Sequence, residues 1–309
     1  FASQHVRDRA YVSFNTYRND EAIPYVFVSE DLGKTWRSIS ANLPAEAVNV
    51  IKEDPLNADV LYVGTDRGVY VSLDRGAAWQ TLDAGLPNVP VHDLVVHPRD
   101  RQLVAATHGR SVWIVDALPI QELTAEVRAK PAHLFHVDDV EGDRGWRSRP
   151  SRWFDETPDL PTTTIHYWAK AAGTGKLWVL NADKQLLKEI VVHAEPGINR
   201  LEWDLLIDPD LALAAEQAKN DKLAEDAREA AAKQPKDADA KAADDSGRLA
   251  KTPYAESIRL GHRLYLMPGE YTLQLQLADT TSDTPFTITA PEPRKPRAVP
   301  AMKIRGKED

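Results

Sequence analysis

Carboxylate side chains that could cleave a glycosidic bond occur at four positions in the N-terminal third of the chain. They are Asp20, Glu21, Asp66 and Asp93. A glycosidase holds two carboxylates on either side of the scissile bond, about 5 Å apart or about 6.5–9.5 Å apart according to its mechanism. The spacing of these acids singles out no Asp–Glu pair. The sequence therefore predicts no catalytic residue within this chain.

Arginines in the same region could instead hold an anionic sugar. Arg18, which follows Tyr17, and the more distant Arg67 and Arg110 are the candidates. Several arginines clamping one carboxylate, with a tyrosine nucleophile, is the arrangement that a sialidase needs. Arginines on exposed loops are also common without any such role. We therefore treat the three arginines as candidates for ligand binding rather than for catalysis.

Three histidines raise the question of a metal site. His92, His97 and His108 lack the i, i+4 spacing that places two imidazoles on one helix face, and no His–Glu motif accompanies them. Loop and core positions are the more common setting of such residues. The sequence also contains no Gly-rich phosphate loop, serine elbow or dinucleotide fingerprint. It therefore predicts no metal and no cofactor.

The composition excludes several classes of protein. Among 309 residues, 38 are Lys or Arg and 47 are Asp or Glu, and the formal net charge of −9 argues against a nucleic-acid binder. No run of about 18 apolar residues exists, so no membrane span is expected. The absence of cysteine excludes disulfides, thiolate zinc sites and iron–sulfur clusters. It fits an exported bacterial protein, so we expect a periplasmic or secreted location.

A repeat in the first 120 residues shows which elements must position these side chains. Three pairs of similar segments recur at an offset of 42 or 43 residues: 26–36 with 69–79, 48–55 with 91–98, and 61–65 with 103–107. A period near 43 with short alternating strands is typical of one four-stranded blade of a β-propeller. In the middle unit we expect strands A to D at about 48–53, 60–65, 69–73 and 78–82.

The turn between strands C and D carries the pattern Ser-x-Asp-x-Gly-x-Thr-Trp. One copy comprises Ser29, Asp31, Gly33 and Trp36, and the second comprises Ser72, Asp74, Gly76 and Trp79, with Ala78 in place of Thr. The chemistry of such a turn is structural. The carboxylate can accept backbone N–H bonds, glycine can adopt a positive φ, and tryptophan can fill the space between sheets.

This pattern resembles the Asp-box, or BNR repeat, of sialidases, sortilin-type receptors and xyloglucanase-type glycosidases. The resemblance covers roughly residues 5–120 and implies the C-terminal blades of an Asp-box β-propeller. It also implies that Asp31 and Asp74 are turn residues rather than catalysts. Three blades cannot close a propeller, which typically has 4–8. We therefore expect the remaining blades on an upstream segment or a separate chain, especially since the sequence begins at Phe1 without Met or a leader.

In a blade the B–C and D–A loops share one end, opposite the Asp-boxes, and propellers of this kind use that end for ligands. The predicted ligand-face candidates are Arg18, Asp20, Asp66, Arg67, His92, His108 and Arg110. The first B–C loop, residues 15–24, is about eight residues longer than its equivalent in the middle unit. Extra length in a loop usually serves function or partner contact.

The second half predicts a different all-β domain. After a linker at 121–161, alternating segments occur at 162–169, 176–180, 186–192, 199–204, 268–277 and 284–289. Such short strands indicate an immunoglobulin-like β-sandwich spanning 162–290. An Ala-, Lys-, Asp- and Glu-rich insertion at 209–257 should be helical over 209–233 and a loop beyond. Residues 291–309 read as an extended tail.

Two functional interpretations remain open. The first is an exported, non-catalytic recognition module that binds a protein, peptide or glycan as part of a larger propeller protein. The second is a sialidase- or xyloglucanase-like glycoside hydrolase whose catalytic acids lie mainly in missing N-terminal blades. Acids on the B–C loops of such earlier blades would favour the enzyme.

The predicted loop 234–252 of the insertion is highly charged, which predicts that it does not pack against the sandwich. We expect that replacing residues 234–252 by a short Gly/Ser linker leaves the melting temperature almost unchanged, because the segment has too few apolar residues to add to a core. Differential scanning calorimetry of the two chains would check this. A drop of many degrees would show that the segment packs against the body.

Overall fold

The computed structural model describes residues 1–16, 19, 21–83, 85–142, 146, 161–233 and 253–291. Within these ranges the chain is mostly antiparallel β-sheet, which confirms the prediction of a mostly-β fold. The predicted linker sequence 147–160, the loop 234–252 and almost all of the predicted tail lie outside the described residues.

Three successive sheets form the first half. The first contains β1 (Ala10–Phe14), β2 (Tyr25–Ser29) and β3 (Arg37–Ser38). The second contains β4 (Val48–Glu53), β5 (Leu61–Thr65), β6 (Gly68–Ser72) and β7 (Gln80–Thr81). The third contains β8 (Val91–His97), β9 (Gln102–Thr107) and β10 (Val112–Asp116). In each sheet the strands pair in chain order, as in the blades of a propeller, and we call the sheets the first, second and third blades.

Packing of blade against blade explains why the middle strand is apolar throughout. All five residues of β5 are buried, because one of its faces meets the first blade and the other meets the third. Leu61 and Val63 contribute to the core between the first and second blades. Tyr62 contributes to the core between the second and third blades.

The innermost segment of the first blade is not where the sequence placed it. The sequence predicts that the inner strand of the first unit is either absent or confined to residues 4–6. In the structure no strand lies there among the described residues; instead Phe1 exchanges two backbone hydrogen bonds of 2.8 Å with Tyr11, and Ala2 bridges to Ala10. Residues 4–6 do not continue this pairing because the hydroxyl of Ser3 accepts the backbone N–H groups of His5 and Val6.

Two short helices lead into the second half, which contains two further sheets. The elements are α1 (Leu118–Glu122), α2 (Ala125–Ala129), β11 (Ala132–Leu134), β12 (Val140–Glu141), β13 (Thr163–Ala169), β14 (Gly173–Asn181), β15 (Leu186–Ala194), β16 (Gly197–Trp203), α3 (Pro209–Lys233), α4 (Pro253–Arg259), β17 (Gly269–Leu277) and β18 (Thr280–Thr289). One sheet has the order β11-β13-β16 and the other β12-β18-β17-β14-β15. Their apolar faces share one core, so the second half is a β-sandwich.

The sandwich takes in more of the chain than the sequence predicted. Strands β11 and β12 come from the segment that we read as a linker, and they pair with β13 and β18. The physical reason is burial: Ala132 and Leu134 alternate inward and belong to the sandwich core.

The charge density and thin apolar stripe of residues 209–257 predict that the insertion contributes little to the sandwich core, but its described residues do contribute to it. Helix α3 covers the predicted range, and Ala212 and Ala215 on it are buried together with Tyr254 of α4. The carboxylate of Glu216 accepts the backbone N–H groups of Tyr254 at 2.6 Å and Ala255 at 3.1 Å, which ties α4 to α3. Small alanines let the helix approach the sheet closely, so a thin stripe is enough to pack.

Two glycines with the same positive φ lie in different surroundings, and the comparison shows how tightly the blades pack. Gly33 and Gly76 both have φ +85°, but a Cβ at Gly76 would lie 2.8 Å from Cβ of Ile39 in the first blade, whereas at Gly33 it would meet only the Trp36 ring at 3.7 Å. We expect Gly33→Ala to cost about 1–2 kcal/mol from the left-handed backbone. Gly76→Ala should cost about 1–3 kcal/mol more because of overpacking.

Urea unfolding of the two variants beside the wild-type chain would check this difference. Equal losses of unfolding free energy in the two variants would contradict the close contact between Gly76 and the first blade.

Candidate functional site

The turn between β2 and β3 is organised by a serine and an aspartate; we call it the first carboxylate turn. The hydroxyl of Ser29 donates to Asp31 Oδ1 at 2.9 Å and accepts the N–H of Gly33 at 2.8 Å. Asp31 Oδ1 also accepts the N–H of Thr35 at 2.8 Å, and Oδ2 accepts the Thr35 hydroxyl at 2.7 Å. These bonds lower the pKa of Asp31 below its usual range, the backbone N–H of Thr35 having the largest effect.

The turn between β6 and β7, the second carboxylate turn, repeats this geometry. The Ser72 hydroxyl donates to Asp74 at 2.8 Å and accepts the N–H of Gly76 at 2.8 Å, and Asp74 accepts the N–H of Ala78 at 2.9 Å. In both turns the carboxylate oxygens bind the protein's own N–H and O–H groups. Among the described residues, the hydrogen bonds found for both carboxylates lie within their own turns.

The two carboxylate turns lie at one end of the blades. The backbone N–H of Leu32 donates to Asp8 O and that of Arg75 donates to Asp59 O, both at 2.9 Å, which joins each turn to the A–B hairpin beside it. The B–C loops 15–24, 66–67 and 108–111 and the D–A links 39–47 and 82–90 emerge at the other end, which we call the loop end.

A cavity of about 190 Å³ opens at the loop end between the first two blades. It is lined by Glu21, Ala22, Ala45, Glu46, Ala47, Asp66 and Arg67. Glu46 is buried; it accepts the Thr65 hydroxyl at 2.8 Å, and the Arg67 guanidinium lies 3.9 Å from it. Arg67 itself is 71% exposed. The buried acid thus positions an arginine whose charged group faces solvent and the cavity.

A chain of amides fixes the aspartate next to this arginine. Asp66 Oδ1 accepts from the side-chain amide of Asn49 at 3.0 Å, and Asn49 in turn accepts from the amide of Asn15. This links the long first B–C loop to the second blade. Asp66 therefore serves to hold the loop end together.

The third blade adds two imidazoles at the same end. The rings of His92 and His108 lie edge to face with their centroids 5.3 Å apart. The backbone N–H of His108 donates to Pro90 O at 2.8 Å. Arg110 is exposed on the same loop, and its carbonyl accepts the indole N–H of Trp113 at 2.8 Å. Within the described residues, no group of three or more His, Cys, Asp or Glu is placed to hold a metal ion.

Of the predicted ligand-face residues, the structure thus brings Asp66 together with Arg67 and His92 together with His108. Arg18 and Asp20, like Tyr17, lie outside the described residues. Asp93 points to a different role, since it pairs with Lys52 of the second blade at 3.4 Å.

Sequence reasoning missed Glu46 and Asn49. Both lie near the D–A link, where a lone acid or amide carries no motif. One signal was available: at the 43-residue offset, Glu46 corresponds to Val89, so a charge replaces an apolar residue.

A second cleft, of about 530 Å³, lies between the third blade and the sandwich. Its lining includes Ile114, Asp116, His166 and Arg200, and His166 Nδ1 lies 3.4 Å from Asp116. Burial lowers the pKa of His166, with Asp116 opposing that shift. The sequence offered no indication of this cleft because its two walls are about 50 residues apart in the chain.

Comparison with known proteins matches the blades to one family. The model of the Sortilin-Vps10 family, described as sortilin, neurotensin receptor 3, matches residues 25–117, which is less than half of the chain. No curated protein matches the chain. In the described part of the chain, none of the helices combines the length and the apolarity that crossing a membrane requires.

Two solved structures similar to the chain are enzymes. They are the GH74 xyloglucanase from Xanthomonas campestris, with 13% identity over 65% of this chain and a TM-score of 0.31, and the GH74 enzyme from Niastella koreensis, with 13% identity over 62% and a TM-score of 0.31. The chain spans 29% of the length of each. At this level of similarity the enzymes give no information on the activity of this chain.

The first carboxylate turn allows a direct test of its structural role. We expect Asp31→Asn to lower the melting temperature, because the amide cannot replace both acceptor oxygens, while any ligand affinity stays within about twofold. Because the folded pKa of Asp31 is lowered from 3.8, its stabilisation is present above that value and is lost as the pH falls through the folded pKa.

The variant should therefore show a weaker loss of stability with acid than the wild-type chain. Thermal melts followed by circular dichroism from pH 7 to pH 2 would measure both effects. A large loss of ligand binding at an unchanged melting temperature would contradict the structural role.

Proposed function

We propose that the chain is an exported, non-catalytic recognition module that forms part of a larger Asp-box β-propeller protein and binds a protein, peptide or glycan at the loop end. The observation that carries this proposal is the exposed guanidinium of Arg67 beside the cavity, 3.9 Å from the buried Glu46. A solvent-facing arginine at the rim of a cavity suits recognition of a carboxylate or a polar sugar edge.

The two carboxylate turns support the assignment of the repeat. The two turns have matching hydrogen bonds, from Ser29 to Asp31 and from Ser72 to Asp74, and we propose that both turns are Asp-boxes. The match of residues 25–117 to the sortilin family model agrees with a binding role for the blades. We propose that the sandwich is an immunoglobulin-like accessory domain, since its two layers, antiparallel except for the β12–β18 pair, share one core.

The local partners of the acids support a role without catalysis. A glycosidase would need two carboxyl groups facing a substrate from opposite sides. At the loop end Glu46 is engaged by Thr65 and Arg67, and Asp66 is engaged by Asn49. These two acids hold loops, so a catalytic pair that used the third lining acid, Glu21, would need a second carboxyl group from another blade.

The role of Arg67 can be tested against a matched control at the opposite end. We expect Arg67→Ala to weaken binding by about tenfold, the effect of losing one charge-assisted hydrogen bond. Arg75→Ala removes a similarly exposed arginine from the second carboxylate turn, where Arg75 pairs with Asp59 at 3.1 Å. That variant should bind within about twofold of the wild-type chain.

The measurement is a glycan array followed by titration calorimetry with the strongest glycan, and the same with an array of acidic peptides. Equal losses for the two arginine variants would overturn the loop-end site. Release of reducing sugar from xyloglucan by the chain alone would overturn the non-catalytic role and favour the glycoside hydrolase.

A further inference from the structure

The contact between the first and second blades shows how one blade of this chain covers the next. Trp79, which ends the second carboxylate turn, is only 5% exposed. Its indole N–H donates to Ile39 O of the first blade at 2.7 Å, and its backbone N–H donates to Asn42 Oδ1 at 2.8 Å. The tryptophan of the second carboxylate turn is thus directed at the first blade, which precedes it in the chain.

The equivalent residue of the first blade lacks such a covering. Trp36 is 45% exposed, and its indole N–H donates to Gly33 O of its own turn at 3.1 Å. Leu32, which lies in the same turn, is also strongly exposed. The two turns share the same serine–aspartate and glycine hydrogen bonds, so the different exposure of their tryptophans follows from what lies beside each turn.

The sheet face next to Trp36 is aromatic and open to solvent. Phe14 is exposed, its ring meets that of Phe27 edge to face at 6.2 Å, and Tyr25 stacks on Phe27 at 6.4 Å. The register makes Val12 and Phe27 the equivalents of the pair Val63 and Tyr70 in the second blade. Val63 is fully buried against the first blade, whereas Val12 is half-buried.

The innermost strand of the first blade shows the same gap. Phe1 pairs with Tyr11, and Ala2 pairs with Ala10. In the second blade residues 52–53, at the end of β4, pair with β5 in the same way. In the second blade residues 48–51 continue this pairing. Among the described residues, no strand lies in the matching place beside residues 12–14.

We propose that a segment of the same polypeptide ahead of Phe1 completes this blade and forms a preceding blade over the aromatic face of Val12, Phe14, Tyr25, Phe27 and Trp36. This inference rests on the proposed larger propeller and names its partner surface. The arriving segment adds about four residues of strand beside residues 12–14, by analogy with residues 48–51. The link between the preceding blade and this added strand supplies a backbone carbonyl to the indole N–H of Trp36, as Ile39 in the link 39–47 does for Trp79.

The connections within the chain favour the same polypeptide over a second copy as the source. Residues 39–47 join the outer strand of the first blade to the inner strand of the second, and residues 82–90 join the second to the third. Both links have nine residues and carry Leu-Pro at the same place, at 43–44 and 86–87. A link of this kind delivers the end of one blade directly into the inner strand of the next, which is the strand to which Phe1 belongs.

Residue-resolved hydroxyl-radical footprinting of the complete gene product and of the 309-residue chain tests the proposal. We expect labelling of Trp36 to be about ninefold lower in the complete gene product, the ratio of the present exposures of Trp36 and Trp79, 45% and 5%. Trp79 should stay protected in both samples, which shows that both are folded. Leu56, half exposed on an A–B turn, should label equally in both.

Two other outcomes would overturn the proposal. One is equal labelling of Trp36 in the two samples. The other is protection of Trp36 in the 309-residue chain that rises with its concentration, since a second copy would then cover the face. The footprint involves no ligand, so a negative result here is distinct from a failure of the Arg67 test.

A pair of variants gives an independent measurement. Trp36→Ala should lower the melting temperature of the complete gene product by several degrees more than that of the 309-residue chain. The control Leu56→Ala should shift the two proteins equally. An equal shift with Trp36→Ala would also contradict the proposed covering blade.

Discussion

The second blade is buried on both of its faces, and the contact of Gly76 and Trp79 with Ile39 places it against the first blade. A glycine without a side chain lets the turn approach the neighbouring sheet, and the indole fills the space beside it and donates to a backbone carbonyl. A tryptophan that is buried needs such a partner for its N–H. Apolar residues alone would bury the faces, but this hydrogen bond fixes how one sheet is placed against the next.

Two buried carboxylates at the end of β4 make further contacts between neighbouring elements. Glu53 accepts the Tyr11 hydroxyl at 2.8 Å and the Ser3 hydroxyl at 2.7 Å, and so joins the first two blades. Its neighbour Asp54 accepts the Tyr62 hydroxyl at 3.0 Å and the Gln121 amide at 3.0 Å, and so joins the second blade to α1. Burial, with the adjacent carboxylate, raises the pKa of both tyrosines. Burial of a carboxylate is tolerated only where several such donors bind it, so each acid fixes one particular arrangement of the elements that supply those donors.

The repeat was the part of the fold most readily predicted, because turn chemistry is local. Asp31 and Gly33 stand within a few residues of every group they bond, so their spacing alone indicated the turn. The side-chain partners of Glu53, Asp54 and Glu46 are 8 to 67 residues away, and no spacing reveals them. Strand β11 and the alanines of α3 were missed for a related reason: their burial is decided by what packs on them, not by their composition.

The candidate site followed the same division. The repeat placed Asp66, Arg67, His92 and His108 at one end of the blades, and the structure locates them there. The partners of Asp66 and Arg67 were decided by Asn49 in β4 and by Glu46 in the link 39–47, neither of which recurs as the same residue in the third unit. The length and polarity of loops thus carry most of the information on the site, and the strands carry little.

The unequal loops at one end of the blades have a consequence for how this protein can change. Both D–A links have nine residues, whereas the B–C loops have ten, two and four. The links are held to one length because each must deliver the chain into the next sheet at a fixed distance. The B–C loops only reconnect neighbouring strands of one sheet, so they can lengthen or shorten without moving a blade. Selection can therefore alter the binding surface by insertion and deletion while the architecture of the blades stays constant.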